Sequence, residues 1–217
     1  MPLRRLAIAL ALAGLGAACS DQTGPLPTAQ PLPTVQAPFF ATVGSDTAIH
    51  VLQQSPNAPA LETYQLTFIA PVNRPTTVTV NYQPLAGDSV GQPFLRLDIP
   101  KHGIVSGPDG VSLSNTDSVA ITLTIDPVNF VVEFRPSGLV FSAKDPATLA
   151  VWYGNANFDL NGNGVVDGWD RNQLQTLGLW YRTDNTNSWF KSLSANDPTQ
   201  LVLSGPLFHF SEYSASW

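Results

Sequence analysis

The segment Val119-Ala120-Ile121-Thr122-Leu123-Thr124-Ile125 places Val119, Ile121, Leu123 and Ile125 on one side of an extended chain and Ala120, Thr122 and Thr124 on the other. Successive side chains leave opposite faces of a pleated backbone, so an apolar period of two is the mark of a half-buried strand. Thr76 to Tyr82 repeats the pattern, with Val78, Val80 and Tyr82 opposed to Thr77, Thr79 and Asn81. Working outward, Tyr64–Ala70, Phe94–Ile99, Phe130–Phe134, Leu139–Phe141 and Leu149–Tyr153 read as further strands, followed by Leu179–Tyr181, Trp189–Leu193, Leu201–Leu203 and Leu207–Tyr213. Turn clusters separate them, among them Gly87-Asp88, Gly107-Pro108-Asp109-Gly110, Pro136-Ser137-Gly138 and Asn196-Asp197-Pro198. Many short strands at this spacing predict an all-β fold, an antiparallel β-sandwich whose two sheets bury their apolar faces against each other.

Composition narrows the function. The 217 residues are 43% hydrophobic and only 12% charged, with 16 Gly and 19 Pro, which excludes a coiled coil and a largely disordered acidic chain. The net charge of −6 would repel phosphate-rich partners, so no nucleic acid is expected. One cysteine allows no internal disulfide, and the chain is long enough to bury a core without one.

The N-terminus reads as an address. Arg4 and Arg5 precede an apolar run from Leu6 to Gly16, and the small residues Ala17 and Ala18 lead to Cys19. The run is far shorter than the roughly 20 residues that span hydrocarbon. Residues 1–20 resemble a bacterial lipoprotein signal, which implies removal of residues 1–18, a lipid on Cys19, and a place at the bacterial outer membrane or cell surface. The alternative is plain secretion with a free thiol at Cys19. Residues 19–38 contain the tandem hexapeptides Pro25–Gln30 and Pro31–Gln36, a composition that favours an extended tether of roughly 50–60 Å. The sandwich is then expected over 39–217.

The residues from Asp117 to Phe141, including Val132-Glu133-Phe134-Arg135-Pro136-Ser137-Gly138, taken with His209-Phe210-Ser211-Glu212-Tyr213 near the end, resemble the β-sandwich domain shared by ankyrins and netrin receptors. That resemblance implies the sandwich rather than an activity. It also implies a self-cleavage triplet at His209, Phe210 and Ser211, in which the Ser211 hydroxyl attacks the Phe210 carbonyl. On a strand His209 and Ser211 would share a face, so that a base and a nucleophile would be neighbours.

The sharpest local pattern runs from Asp159 to Asp170 and matches the twelve-residue EF-hand loop. A hard cation needs several oxygens from a short segment. Asp159, Asn161 and Asn163 supply side chains at alternating positions, Gly164 allows the sharp turn, and the next carbonyl is that of Val165. Asp167 is expected to act through a water, Asp170 to close the site, and Val166 to point into the core. Ca²⁺ fits better than Mg²⁺, which prefers a smaller octahedral shell with several waters, and three carboxylates with two neutral amides imply a modest affinity. A competing reading treats Asn161-Gly162-Asn163-Gly164 as a mere hairpin turn. The closing Asp and a helix expected over Arg171–Leu177, ended by Gly178, make the loop similar to that of a dockerin. Dockerins that bind cohesin carry two such loops, and Asp184-Asn185-Thr186-Asn187 lacks the glycine and closing acid of a second.

Trp152, Trp169, Trp180, Trp189 and Trp217, with Tyr153 and Tyr181, could instead form a sugar-stacking platform, so a protein or glycan partner stays open. His50 and His102 lack metal-ligand spacing, and no serine elbow, zincin or phosphate loop occurs. The expectation is a calcium-binding, anchored, extracytoplasmic sandwich with a structural or adhesive role rather than an enzyme. A carbohydrate-binding module and a self-cleaving domain are the alternatives.

Overall fold

A computed structural model describes residues 40–43 and 47–217. The expected leader 1–18, Cys19, the tether 19–38 and the proposed domain start at Phe39 lie outside the described residues. In chain order the strands are β1 (Phe40–Val43), β2 (Thr47–His50), β3 (Gln65–Pro71), β4 (Thr76–Asn81), β5 (Pro93–Ile99), β6 (Ile104–Ser106), β7 (Ser118–Ile125), β8 (Val131–Arg135), β9 (Val140–Phe141) and β10 (Ala147–Trp152). Helix α1 (Gly168–Thr176) follows, then β11 (Gly178–Arg182), β12 (Phe190–Lys191), β13 (Ala195–Asp197), β14 (Val202–Leu207) and β15 (Glu212–Ser216). Among the described residues strand makes up 45% and helix 5%, so the fold is all-β.

Two antiparallel sheets carry the architecture. One runs β13-β14-β10-β5-β4 and the other β12-β11-β15-β8-β7-β3; the hairpin β1-β2 and the two-stranded ribbon β6-β9, whose strands are separated in sequence by β7 and β8, complete the set. The period-two pattern is realised as expected: along β7, Ile121, Leu123 and Ile125 are buried, and along β10, Ala147, Leu149 and Val151 are buried. These residues meet in one core with Val80, Leu95 and Leu97 of the first sheet and Phe134, Leu179 and Tyr213 of the second. Burying large aliphatic and aromatic side chains at about 25 cal/mol per Å² is the main force joining the sheets.

Strand β15 differs from the others because both of its faces are covered. Tyr213 and Ala215 join the main core, while Ser214 and Ser216 are buried and share a 2.8 Å hydrogen bond between their hydroxyls. Ile49, Val51 and Trp189 form a second small cluster, against which Val131 and Trp180 pack. Arg182 lies over the Trp189 ring at 4.9 Å.

Four local expectations are corrected. Leu207–Tyr213 is not one strand: β14 stops at Leu207, β15 begins at Glu212, and the intervening corner belongs to neither. Asn196 and Asp197 belong to β13, paired with Leu203 and Val202, because tertiary pairing overrides their turn preference. The helix begins at Gly168 rather than Arg171, since Asp167 caps it. Gly178 does not end it in a left-handed conformation. Leu177 takes φ −51° and ψ 141°, and Gly178 already pairs with Ser216 in β11.

Candidate functional site

The loop and helix bridge the two sheets, leaving the end of β10 and returning into β11. Among the described residues the loop is entered from strand β10 and not from a helix, as expected, and no strand flanks it closely enough to make the Asn-Gly pairs a hairpin turn. Its approach is fixed from below. Tyr153 is buried with its ring edge-on to Phe158 at 6.5 Å, and Asn157 N–H donates to the Gln53 carbonyl at 2.8 Å. The far end is fixed through Asn196, which accepts a 2.7 Å bond from the Tyr153 hydroxyl and donates 2.8 Å to the Leu174 carbonyl in the last turn of α1. That bond satisfies one of the carbonyls that every helix C-terminus leaves without a partner.

Within the loop the predicted oxygen-bearing side chains turn inward onto backbone amides. Asp159 accepts from Asn163 N–H at 3.0 Å and Gly164 N–H at 2.7 Å, one bond to each carboxylate oxygen. Asn161 accepts from Asn163 N–H at 3.0 Å, and Asn163 accepts from Val165 N–H at 2.9 Å. Gly162 and Gly164 take φ of 70° and 87°, the left-handed region that lets the chain turn this tightly. Asp167 Oδ1 accepts from Trp169 N–H at 2.7 Å, and Asp170 Oδ2 accepts back from Asp167 N–H at 2.8 Å, completing a capping box. Asp170 Oδ1 meanwhile accepts from Leu160 N–H at 2.9 Å, which ties the second residue of the loop to its last.

Asp170 is fully buried, at 0% exposure. Burial pushes its carboxyl pKa up, but amide donors from Asp167, Leu160 and Asn161 outweigh that and hold it below the ordinary carboxylate value of 3.8. The group is therefore an anion in the interior, favoured further by the N-terminus of α1. No ion pair reaches it among the described residues; those present join Arg96 to Asp98, Arg135 to Glu133 and Asp184, and Arg182 to Glu212.

The donor set fits a hard cation in kind: carboxylate oxygens that keep lone pairs beyond their amide bonds, two carboxamide oxygens and a backbone carbonyl. Among the described residues no three His, Cys, Asp or Glu side chains gather into a metal-holding group. Asp159, Asp167 and Asp170 are thus held by amides rather than drawn together as a trio. Occupancy would depend on Asn161, Asn163 and the Val165 carbonyl as much as on the acids. Val166 does not enter the core; it is 41% exposed. Leu160, only 5% exposed, is the side chain that fastens the loop to the interior. Its signal was present as a lone apolar residue at the second position, but the periodicity of a turn does not say which side faces inward.

The second predicted group is assembled by tertiary structure. Although residues 208–211 lie outside any strand, Ser211 Oγ and His209 Nδ1 sit 3.0 Å apart. Phe210 is fully buried, its ring stacked on Phe134 at 4.8 Å and edge-on to Phe141 at 4.9 Å. Its carbonyl accepts from Gly138 N–H at 3.0 Å and its own N–H donates to Leu139 at 2.8 Å. The His209 carbonyl accepts from the Tyr213 hydroxyl at 2.7 Å. Burial lowers the pKa of His209, partly offset by the Phe210 backbone, so the neutral ring is favoured.

Trp189 is buried beneath Arg182, with Trp180 packed against its cluster and under Lys191 at 5.7 Å; Trp217 stacks on His50 at 5.2 Å, Trp152 is half-buried at the end of β10, and Trp169 is 45% exposed. A polar cleft of about 390 Å³, lined by Glu133, Arg135, Arg182, Asp184, Asn187 and Glu212, had no sequence signal. Its ion pairs join Arg135 to Asp184 and Arg182 to Glu212, residues far apart along the chain and brought together by pairing of β15 with β8 and β11. No helix among the described residues is long and apolar enough to cross a membrane. No family model, curated protein or solved structure matches this chain.

Proposed function

We propose that this chain is a calcium-stabilised β-sandwich that works outside the cytosol, held at a membrane surface by a lipid on Cys19, in a structural or adhesive role. The observation that carries the calcium reading is Asp170, a buried ionised carboxylate with no basic partner among the described residues, closing a loop whose other oxygens alternate inward. A buried anion is costly unless a counter-charge is near. A divalent ion shared among Asp159, Asn161, Asn163, the Val165 carbonyl, Asp170 and a water on Asp167 would supply that charge. Its effect is to stiffen the bridge between the two sheets.

Scanning calorimetry of the protein in excess calcium and in chelator tests this. At free calcium of about 100 times Kd the fold gains about 2.7 kcal/mol. The midpoint rises by roughly 5–10 °C for a domain of this size. Coincident transitions would reject the reading. Replacement Cys19→Ser is expected to move the protein from the membrane fraction to the soluble one; unchanged partitioning rejects the anchor.

A second reading is favoured by the corner at His209. The Ser211 hydroxyl would attack the Phe210 carbonyl, His209 would take its proton, and Gly138 N–H would hold the developing oxyanion. The acyl group passes from nitrogen to oxygen, and water then hydrolyses the ester. Intact-mass measurement under denaturing conditions is expected to show loss of residues 211–217, abolished by Ser211→Ala. An unbroken chain rejects this reading.

A further inference from the structure

We infer that Asn161–Gly162 is a spontaneous deamidation site and that a cation in the loop slows the reaction, the second clause resting on the calcium reading above. Deamidation begins when the backbone nitrogen following an asparagine loses its proton and attacks the side-chain Cγ. The new bond closes a succinimide ring and the side-chain nitrogen leaves as ammonia. Water then adds across one of the two ring C–N bonds, giving aspartate or isoaspartate, so the balance needs no oxidant or cofactor. A following glycine favours the attack because no β-carbon obstructs it.

The loop holds two Asn-Gly pairs, and they differ in the surroundings of one atom. At Asn161, the Asn163 N–H donates to Oδ1 at 3.0 Å, drawing electrons from Cγ and steadying the oxygen as charge gathers there. The attacking nitrogen, that of Gly162, has no acceptor among the described residues, and both residues are exposed. Nothing lies within 4 Å of the place a Gly162 β-carbon would occupy. At Asn163 the carboxamide is polarised in the same way by Val165 N–H at 2.9 Å. There, however, the attacking nitrogen of Gly164 donates to Asp159 Oδ2 at 2.7 Å. Removing that proton would set a negative nitrogen against a carboxylate oxygen, a repulsion that the Gly162 nitrogen does not meet. Two identical and directly consecutive dipeptides therefore have different chemical lifetimes.

A cation on the Asn161 oxygen polarises Cγ as the amide does, but it also pins the carboxamide to the ion and stiffens the turn, and keeping Cγ from swinging toward the Gly162 nitrogen is the larger effect. Conversion to aspartate adds a carboxylate to the ligand set. Conversion to isoaspartate inserts a backbone carbon and moves the oxygens that follow out of their alternation.

The test incubates the full chain in mildly alkaline buffer at physiological temperature, with excess calcium or with chelator, and maps the peptides by mass. In chelator, Asn161 is expected to convert several-fold faster than Asn163, and calcium is expected to slow Asn161 several-fold. Asn161→Gln removes the gain at that position, and Asn163→Gln leaves it. Conversion of Asn163 as fast as Asn161, or an Asn161 as durable as Asn157, overturns the site. Equal rates at Asn161 in calcium and chelator overturn the cation's control. If the calorimetric scans still separate, protection alone has failed; if they coincide, the calcium reading has failed and the deamidation site stands.

Discussion

The loop Asp159–Asp170 and the corner Leu207–Tyr213 each centre on a short motif, yet they are held in opposite ways. Every hydrogen bond that shapes the interior of the loop joins residues two to ten positions apart. At the corner Phe210 is gripped by Gly138, Leu139, Phe134 and Phe141, all from the distant β8–β9 region. The loop has exposed side chains and a polar interior; the corner is built on the buried rings of Phe210 and Tyr213. A locally wired element keeps its geometry only as well as its own amides and any bound ion hold it. A tertiary corner keeps its geometry for as long as the core stays folded.

The largest break in this contrast is Phe210→Ala, expected to lower stability in urea unfolding by about 3–5 kcal/mol, equally with calcium and with chelator. A loss dependent on calcium would mean that the two regions are coupled. Next comes Asp170→Ala, which leaves the Leu160 and Asp167 amides without their charged acceptor. In chelator it is expected to cost about 2–3 kcal/mol, and it should erase the calcium response. A calcium shift that survives this change would place the ion elsewhere.

Asp167→Ala sharpens the contrast by removing only the helix cap. It is expected to cost about 1 kcal/mol and to reduce helical circular dichroism while the sheets stay intact. The smallest effect is that of pH at the corner. His209 has a folded pKa depressed below 6.5 by burial, so the unfolded chain binds its proton more readily. The stability from its neutral form is present above pH 6.5 and is lost as pH falls through the folded value. His50, lowered by the same cause, acts in the same direction, so His209→Gln should reduce the acid slope without removing it. An unchanged slope would mean that the ring is hydrated in the native state.

The contrast also explains what was legible in advance. The turn at Gly164 and the inward alternation of Asp159, Asn161 and Asn163 follow from neighbours in sequence, as does the presence of a short helix after them, though not its ends. Helix α1 begins at Gly168 because the Asp-x-x-Asp of Asp167 and Asp170, which matches two calcium-ligand positions, also forms a capping box. Val166 was misplaced because a turn has no fixed inside, and Leu160 took the buried position instead. The ion pairs Arg135–Asp184 and Arg182–Glu212 had no local signature, since each exists only through strand register.

Sequence by itself determined the alternation that makes Ser118–Ile125 and Ala147–Trp152 strands, and the turn chemistry that folds Asp159–Asp170 on itself, because both depend on contacts a few residues long. Only tertiary structure decided that Asn196 clamps the end of α1, that Gly138 N–H meets the Phe210 carbonyl, and that β15 is buried on both faces. Those arrangements depend on which strands lie side by side, and register is set by how the whole core packs rather than by any segment alone.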